Sequence, residues 1–524
     1  MSVQRLKPES LLGWASAVVG LIGIVSALTP ERAGRYQVVR GVLPPGVPTA
    51  ARIGALAFGI ALIWLARSLA RRRRRAWQLA VVVVVGSAAA HLAKGLDVEE
   101  AATTLVLLAA LLRWRRRFDV PGEPAAARPL LAIALATLAI GSLTLGIELR
   151  GAEISDRLGD AMQAAGLVVG FYALFLWLRP LSHAVAQTVA ERRAVRELVD
   201  AYGSDSLCFF SLRRDKSYYF SPSQRAFLAY RVVAGAALVS GDPVGDETEF
   251  DLLLEEFQRF GHASGWRLAI LSASQETLHR YERLGMRAIP IGDEAVLLPA
   301  EFSLEGRAIR KVRQSVSRLT KAGYRFRVVA AEEIDPHLSA QLDEVSDAWR
   351  GKQAERGFSM AMDDLHAAGT TFAVAESADG QVGGFLHLAP APAGGGWSLS
   401  TMRRRPGTPN GLTEFLVVET LAWSKTCGAT ELSLNFCALT DFVSADRAVT
   451  LPRRVLRRGL LAADSLFQLE RLHSFSRKFQ PVWRPRYLCV EKLTDLPLVG
   501  LAYLHVEQLL VPPGPWVRRE RVSH

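Results

Sequence analysis

WSLSTMRRRPGTPNGLTEFLVVETLAWSKTCGATELSLNF, residues 397–436, carries the pattern that decides the fold of the C-terminal part of this chain. Trp397–Met402 predicts a β-strand, Gly411–Gly428 predicts a helix that ends at a glycine, and Glu431–Phe436 predicts a second strand. Strand, helix and strand in this order are typical of an α+β domain.

The same alternation extends over the preceding residues. Thr371–Ser377 and Val382–Ala389 flank a short turn and predict a hairpin, and helices are predicted at Phe250–Gly265 and Glu276–Gly285. Further strands are predicted at Leu207–Leu212, Ala229–Leu238, Trp266–Leu271 and Glu294–Ala300. Two series with the same pattern suggest a duplicated fold.

The turn before the 411–428 helix is rich in arginine. Arg403 and Arg404 precede a Pro/Gly turn, and Asn410 and Gly411 lead into the helix. Free backbone N–H groups at a helix start attract anions, so this turn is a candidate phosphate site, although a plain capped turn explains it equally well. Glu414, one turn into the helix, either favours the helix dipole or holds a substrate amine.

Residues 303–323 predict a helix with charge on one side. Ser303 is the expected cap and Gly323 the expected end, and Ile309, Val312, Val316 and Leu319 form an apolar stripe. The cations on the opposite side are Arg307, Arg310, Lys311, Arg318 and Lys321. This face is either simply solvated or binds the phosphates of a nucleic acid or of anionic lipid headgroups.

The segment FSRKFQPVWRPRYL, residues 475–488, mixes four cations with aromatic residues. Aromatic and arginine side chains together suit ribose or base stacking and phosphate contacts, and they also suit core packing with cations projecting outward. The sequence leaves both interpretations open.

Apolar segments dominate the first 180 residues. They lie at Leu11–Leu28, Ile53–Ala70, Ala76–Ala93, Ala101–Leu112, Leu130–Ile147 and Ala161–Leu178. Arginine clusters follow the second and fourth segments, and ERR (191–193) follows the sixth. The positive-inside rule then predicts an all-α polytopic membrane domain of about six helices, with both termini cytoplasmic.

Composition supports a membrane part joined to a basic soluble part. The net charge is +12, yet 50% of the residues are hydrophobic. The four cysteines are far apart and contain no metal-binding spacing, so they predict reduced thiols. P-loop, zincin and α/β-hydrolase motifs are absent from the sequence, which leaves those chemistries unsupported.

Several of these stretches together resemble the lysylphosphatidylglycerol synthetases, also called multiple peptide resistance factors. The matching segments are VSGDPVGDETEF (239–250), DEAVLLPAEFSLEGRAIRKVRQSV (293–316), SDAWRGKQAERGFSM (346–360), TPNGLTEFLVVETLAW (408–423), LSLNF (432–436) and SRKFQPVWRPRYL (476–488). The resemblance is greatest to the membrane-plus-transferase part of the actinobacterial form. That form often carries a fused lysyl-tRNA synthetase, which is not expected here.

The resemblance implies a tandem acetyltransferase-like (GNAT-like, DUF2156) domain. The implied divisions are a transmembrane domain at 1–180, a linker helix at 181–204, a first GNAT-like subdomain at 205–330, and a second at 331–524 with the catalytic site. The implied activity is that of an aminoacyltransferase. It moves an amino acid, with lysine expected, from aminoacyl-tRNA to a hydroxyl of phosphatidylglycerol, which changes membrane charge and resistance to cationic antimicrobial peptides.

The resemblance also implies roles for individual residues. Lys478 is expected at the reacting ester, and Glu414 with Asn435 at the amino-acid amine. Residues expected to bind substrate are Ser359, Arg403, Arg404, Asn410, Gly411, Trp483 and Arg486. The 307–321 cations are expected to face tRNA or anionic lipid. No metal and no cofactor are expected, because the aminoacyl ester is already activated.

The expected partners are aminoacyl-tRNA and a membrane phospholipid, with a homo-oligomer as a further expectation, and the expected location is the bacterial cell membrane. Three alternatives stay open. They are a membrane-anchored GNAT-type acyl-CoA acyltransferase, transfer of alanine or ornithine to phosphatidylglycerol or diacylglycerol, and a non-catalytic anchor or transporter.

Overall fold

The computed structural model describes residues 8–29, 47–70, 72–95, 97–118, 187–351, 357–438 and 473–508, together with Val120 and Val185. The chain divides into two units. One comprises Met1–Ser182 with Phe260–Trp266, and the other comprises His183–Arg259 with Arg267–His524.

The first unit contains four described helices: α1 Pro8–Leu28, α2 Val47–Ala70, α3 Arg74–Gly95 and α4 Val98–Arg113. They cover the first four predicted apolar segments. The fifth and sixth, 130–147 and 161–178, lie outside the described residues. Among the described helices, Pro8–Leu28 and the Arg74–Ala93 part of α3 are long and apolar enough to cross a membrane.

Helices α1 and α2 pack closely because small residues lie at their contact. A Cβ on Gly13 would lie 2.7 Å from the Ala66 carbonyl oxygen, and one on Gly20 would lie 2.6 Å from that of Gly59. Apolar side chains also face outward, with Trp14 71% and Val106 69% exposed. Small residues between helices and apolar residues outside are typical of helices packed in lipid.

In the second unit, the described helices are α5 Val189–Tyr202, α6 Phe250–Ala263 (in this unit as far as Arg259), α7 Leu278–Arg283, α8 Arg310–Lys321, α9 Pro336–Arg350, α10 Leu412–Thr426 and α11 Leu496–Val506. The strands are β1 Ser217–Phe220, β2 Ala226–Val233, β3 Ala236–Ser240, β4 Val244–Gly245, β5 Arg267–Ala273, β6 Arg287–Leu297, β7 Arg325–Ala330, β8 Thr371–Glu376, β9 Val382–Ala391, β10 Gly396–Arg404, β11 Leu432–Ala438 and β12 Val482–Val490. Helix α5 lies within the predicted linker and starts with a capping box between Thr188 and Glu191.

Within the described part of the chain, all twelve strands belong to one mixed sheet. Its order is β1-β2-β3-β5-β12-β6-β11-β10-β9-β8-β7, with β4 paired to β2. The pairs β3/β5 and β10/β11 are parallel, and the other pairs are antiparallel. Since α6 connects β3 to β5 and α10 connects β10 to β11, the sheet contains two βαβ units.

Strand β12 lies between β5 and β6, although it comes from the far end of the chain. Strands from both sides of the predicted boundary between residues 330 and 331 belong to this one sheet. The boundary between two subdomains stays a prediction. The practical result is that β12 carries the basic aromatic segment into the middle of the sheet.

Helices cover both faces of the later part of the sheet. Helices α8 and α10 pack on one face through Val312, Leu319 and Phe415, and α9 packs through Leu342 and Val345 in a separate cluster. The predicted apolar stripe of the basic helix is confirmed, because Ile309, Val312 and Leu319 are buried and Val316 packs against them.

Three local predictions are wrong. Residues 207–212 form a 3-10 helix, Cys208–Leu212, because a short run buried on every side does not distinguish strand from helix. Residues 229–238 are two strands of a hairpin, since Ala234 and Gly235 have φ values of 50° and 83°. Ser303 does not cap α8, because its Oγ accepts from the Glu305 N–H in a separate turn.

Candidate functional site

Lys478 and Glu414 form an ion pair, although 64 residues separate them in the sequence. Glu414 lies in the first turn of α10, and Lys478 lies in the 3-10 turn Arg477–Phe479 just before β12. The Lys478 Nζ is 2.8 Å from the Glu414 Oε1 and 5.2 Å from the ring centroid of Phe475. The Glu414 side chain is 16% exposed and that of Lys478 is 42% exposed, so the ammonium is fixed yet accessible to a ligand.

The start of α10 is pressed against the basic helix. Gly411 has a φ of 96°, and a Cβ at this position would lie 2.6 Å from the Ser315 Cβ of α8. Arg318 donates to the carbonyl oxygen of Asn410 over 3.1 Å. Helix α8 is therefore held beside the helix start that carries Glu414.

The cations of the basic helix are exposed. We define the basic surface as Arg307, Arg310, Lys311, Arg318 and Lys321, and all five side chains are exposed to solvent. Arg307 precedes α8, which begins at Arg310. The surface combines five cations with a buried opposite face, and an extended anion could bind there.

The three arginines at the end of β10 differ in their surroundings. Arg403 is buried and donates to the Ser346 hydroxyl of α9. Arg405 forms a two-bond ion pair with Glu344, at 2.5 and 3.1 Å. Arg404 is half-buried. Arg403 and Arg405 therefore attach α9 to the sheet. The expected phosphate role of Arg403 and Arg404 stays a prediction.

Asn435 lies where β10 and β11 separate. The parallel pairing joins Trp397 and Ser398 to Leu432 and Ser433 and then stops. Asn435 has a φ of 68°, and its Nδ2 donates to the carbonyl oxygens of Met360 at 2.7 Å and Leu399 at 3.0 Å. Its amide therefore bridges the gap between the strands, and the amine contact expected from the resemblance stays a prediction.

The segment 357–362, which contains Ser359, is held from several sides. Arg213 donates to the Gly357 and Ala361 carbonyl oxygens, and the Glu507 carboxylate accepts from the N–H groups of Gly357 and Phe358. Among the described residues, the buried Ser359 Oγ has no hydrogen-bond partner. It is therefore a fixed hydroxyl that is able to bond a ligand.

Sequence reasoning missed Arg213 and Glu507. They lie 144 and 150 residues from Gly357 along the chain. A single arginine and a single glutamate in these stretches carried no spacing signal that would have linked them to the 357–362 segment.

Arg486 is at the centre of a buried charged network. It is 2.8 Å from Asp205 and 2.5 Å from Glu294, and it also donates to the Ser206 hydroxyl. Burial opposes ionisation of Glu294, but Arg486 and the hydroxyls of Ser206 and Ser433 hold the pKa of Glu294 below its usual value. Burial raises the pKa of Asp205, and Arg486 opposes that rise.

The other residues of the 475–488 segment have separate partners. Arg484 pairs with Glu431 at 2.6 Å, and the Trp483 ring stacks on His473 with 4.8 Å between ring centroids. Phe479 is buried in the core beside α10. Of Lys478, Arg484 and Arg486, Lys478 therefore has the position best suited to a reacting group.

Comparison with known proteins identifies the family of this arrangement. The family described as "Phosphatidylglycerol lysyltransferase, C-terminal" matches residues 196–490. A lysylphosphatidylglycerol biosynthesis bifunctional protein LysX of Rhodococcus jostii is 33% identical over 515 residues, which cover 90% of this chain and 46% of that protein. The LysX of Mycolicibacterium vanbaalenii is 32% identical over 577 residues, covering 100% of this chain and 52% of that protein.

Solved structures agree on the fold of the second unit. L-PGS from Bacillus licheniformis superposes with a TM-score of 0.55 at 23% identity, covering 63% of this chain and 99% of that one. The C-terminal DUF2156 domain of a putative lysylphosphatidylglycerol synthetase from Agrobacterium fabrum gives 0.53 at 25% identity, covering 60% and 96%. The second unit therefore has the fold of these two structures, and the GNAT-like classification stays a prediction.

This chain spans about half the length of the two LysX proteins, at 46% and 52%. The matched family region begins within α5, at residue 196, and includes all twelve described strands and both partners of the Lys478–Glu414 pair. The chain therefore belongs to the phosphatidylglycerol lysyltransferase, or lysylphosphatidylglycerol synthetase, family.

Proposed function

We propose that this protein transfers an amino acid, with lysine expected, from aminoacyl-tRNA to a hydroxyl of phosphatidylglycerol. The observation that carries this proposal is the 2.8 Å pair between Lys478 and Glu414 at the start of α10. A fixed, accessible ammonium beside a carboxylate suits an ester with a developing negative charge at one end and an amine at the other.

The reaction needs no separate activation. The lipid hydroxyl oxygen attacks the carbonyl carbon of the aminoacyl ester, and a tetrahedral intermediate forms. Its collapse breaks the bond to the ribose oxygen, and the proton lost by the lipid hydroxyl ends on that oxygen. The Lys478 ammonium stabilises the oxyanion of the intermediate, and Glu414 attracts the ammonium of the amino acid. Neither a metal nor a cofactor is required by this balance.

The large anionic parts of the substrates would bind next to the Lys478–Glu414 pair and not at the pair itself. The basic surface borders the start of α10 through the bond from Arg318 to Asn410, so a phosphate backbone bound there lies beside Glu414. Ser359, Arg404 and Trp483 are proposed contacts for the smaller parts of the substrates. We assign tRNA to the basic surface, and anionic lipid is the competing occupant.

Replacing Arg310 and Lys311 together by glutamine should weaken tRNA binding and flatten its salt dependence. Each lost phosphate contact reduces the slope of log affinity against log salt by about 1. The control, Arg287→Gln with Arg325→Gln, removes the same charge from two other exposed arginines. Filter binding of aminoacyl-tRNA at several salt concentrations measures both. Equal salt-dependence slopes for the two double variants would show that tRNA does not bind at the basic surface.

The first unit is proposed to anchor the enzyme as a multi-pass domain of about six helices, with the transferase domain and both termini cytoplasmic. The apolar outer surface of α1 and α4 and the two long apolar helices support this location. In this arrangement the lipid acceptor is presented by the membrane to which the enzyme is attached.

Mass spectrometry of lipids from cells with and without the gene tests the function in vivo. We expect aminoacylated phosphatidylglycerol only in cells that contain the protein, together with lower sensitivity to cationic antimicrobial peptides. Alanyl or ornithyl lipids would show that a different amino acid is transferred, and a diacylglycerol ester would show a different lipid acceptor. An N-acylated small molecule with no change in the lipids would replace the proposal with acyl-CoA transfer.

A further inference from the structure

Glu507, just after α11, is a buried carboxylate that binds a turn far away in the sequence. One of its carboxylate oxygens accepts from the Gly357 N–H at 2.8 Å, and the other accepts from the Phe358 N–H at 3.1 Å. The residue is only 4% exposed. Moving a carboxylate out of water costs free energy, and the two N–H donors offset part of this cost. Glu507 therefore fixes two successive backbone N–H groups of the 357–362 turn.

Apolar contacts attach the same turn to α11. The Phe358 side chain is fully buried and packs in one cluster with Val499 and Val506 of this helix. The Lys216 ammonium lies 4.8 Å from the centroid of the Phe358 ring. The two backbone bonds and the buried ring together fix Phe358 at the end of α11.

The later residues of the turn are attached to the later strands. The Met362 N–H donates to the Ser400 hydroxyl of β10 at 3.0 Å. Asn435 of β11 donates through its Nδ2 to the Met360 carbonyl oxygen at 2.7 Å. The turn is therefore held by α11 at one end and by β10 and β11 at the other.

Ser359 lies between the two fixed residues of this turn, Phe358 and Met360. It is 2% exposed, and among the described residues its Oγ has no hydrogen-bond partner. Buried polar groups in native proteins are nearly always hydrogen-bonded, so an unbonded one calls for a functional explanation. Because the backbone is fixed on both sides, this hydroxyl has a defined position before any substrate binds.

We propose that Glu507 is a positioning residue of the transfer site. It acts through the backbone of Gly357 and Phe358 and places the Ser359 hydroxyl against a bound substrate. This inference rests on the proposed function, in which Ser359 is a substrate contact. A contact that is placed before binding costs no ordering free energy when the substrate arrives. Loss of Glu507 therefore weakens binding of that substrate and leaves the chemical step unchanged.

Glu507→Gln keeps the size of the side chain but replaces one acceptor oxygen by an N–H donor, which then faces an N–H group of the turn. We expect KM for one substrate, aminoacyl-tRNA or phosphatidylglycerol, to rise about tenfold while kcat changes less than about twofold. Ser359→Ala should raise KM for the same substrate about tenfold, because it removes the hydroxyl itself. Transfer assays in which each substrate is varied in turn measure both constants.

The double variant with both Glu507→Gln and Ser359→Ala separates positioning from general stabilisation. If Glu507 acts through Ser359, the second substitution changes KM less than about twofold beyond the first, because the two residues are coupled. Two independent contributions would instead multiply, which raises KM about a hundredfold in the double variant. Multiplied effects would overturn the inference.

Asp495→Asn is the matched control at the other end of α11. Asp495 is also buried, at 5% exposed, and lies 3.2 Å from Arg267. This substitution should leave both KM values unchanged. Hydrogen–deuterium exchange should be about tenfold faster in the 357–362 peptide of Glu507→Gln and at the wild-type rate in that of Asp495→Asn. Equal exchange of this peptide in all three proteins would also overturn the inference.

If Glu507→Gln does not fold, Arg213→Lys takes its place in the same set of variants. Arg213 donates to the carbonyl oxygens of Gly357 and Ala361 at 3.0 and 2.6 Å, and a lysine does not reproduce this fork of donors. Folded wild-type protein that transfers nothing would overturn the proposed function and this inference together. Transfer by the wild type with multiplied effects in the double variant would overturn the inference alone.

Discussion

Lys478→Ala should lower kcat for aminoacyl transfer about 10²- to 10³-fold while leaving tRNA binding nearly unchanged. The ammonium is fixed 2.8 Å from Glu414, and we place it where the oxyanion develops, so its loss removes stabilisation present only in the transition state. Single-turnover assays with aminoacyl-tRNA and phosphatidylglycerol vesicles measure the rate, and filter binding measures tRNA affinity.

Lys492→Ala is the matched control, because Lys492 is also exposed and lies just after β12. It should keep the wild-type rate. Glu414→Gln should mainly raise KM for the aminoacyl substrate, since it removes the charge that attracts the amine. A Lys478→Ala rate within threefold of wild type would show that the pair is only a structural ion pair.

Arg486→Leu should destabilise the second unit by about 3–5 kcal/mol. The substitution leaves Glu294 fully buried and Asp205 beside it without their shared cation, and an unpaired buried charge is costly. Thermal unfolding followed by circular dichroism in detergent measures the change.

Arg484→Leu provides the comparison within the same strand. Its side chain is 44% exposed, and its pair with Glu431 should contribute only about 0–1 kcal/mol. Equal destabilisation by the two substitutions would show that burial of the Arg486 network does not control stability. A stable Arg486→Leu protein that has lost phosphate binding would support the substrate role expected from the sequence.

Local patterns predicted much of the second unit. The 382–389 and 397–402 strands and the 411–428 helix are present with small changes at their ends, because strong periodicity reports which face of an element is buried. The insertion of β12 between β5 and β6 was not predictable in this way. Pairing between strands about 200 residues apart leaves no trace in the local pattern of either strand.

In the candidate site, too, some features were predictable from the sequence and others depended on contacts between distant residues. Lys478 and Glu414 were singled out by family resemblance, and the structure brings them into contact. Arg486, an expected substrate residue, is enclosed by carboxylates that lie 192 and 281 positions away, at Glu294 and Asp205, and its substrate role stays a prediction. An arginine beside aromatic residues has the same sequence appearance whether it faces a ligand or a buried carboxylate.

The central claim is tested most directly by reconstitution with one defined substrate pair. The purified full chain is mixed with lysyl-tRNA labelled in the amino acid and with phosphatidylglycerol vesicles, and the lipid is extracted. We predict label in the lipid fraction that disappears when the tRNA is hydrolysed beforehand, when free lysine replaces lysyl-tRNA, or when Lys478→Ala replaces the wild-type protein. Unlabelled lipid with folded protein, together with no label from alanyl- or ornithyl-tRNA, would contradict the account.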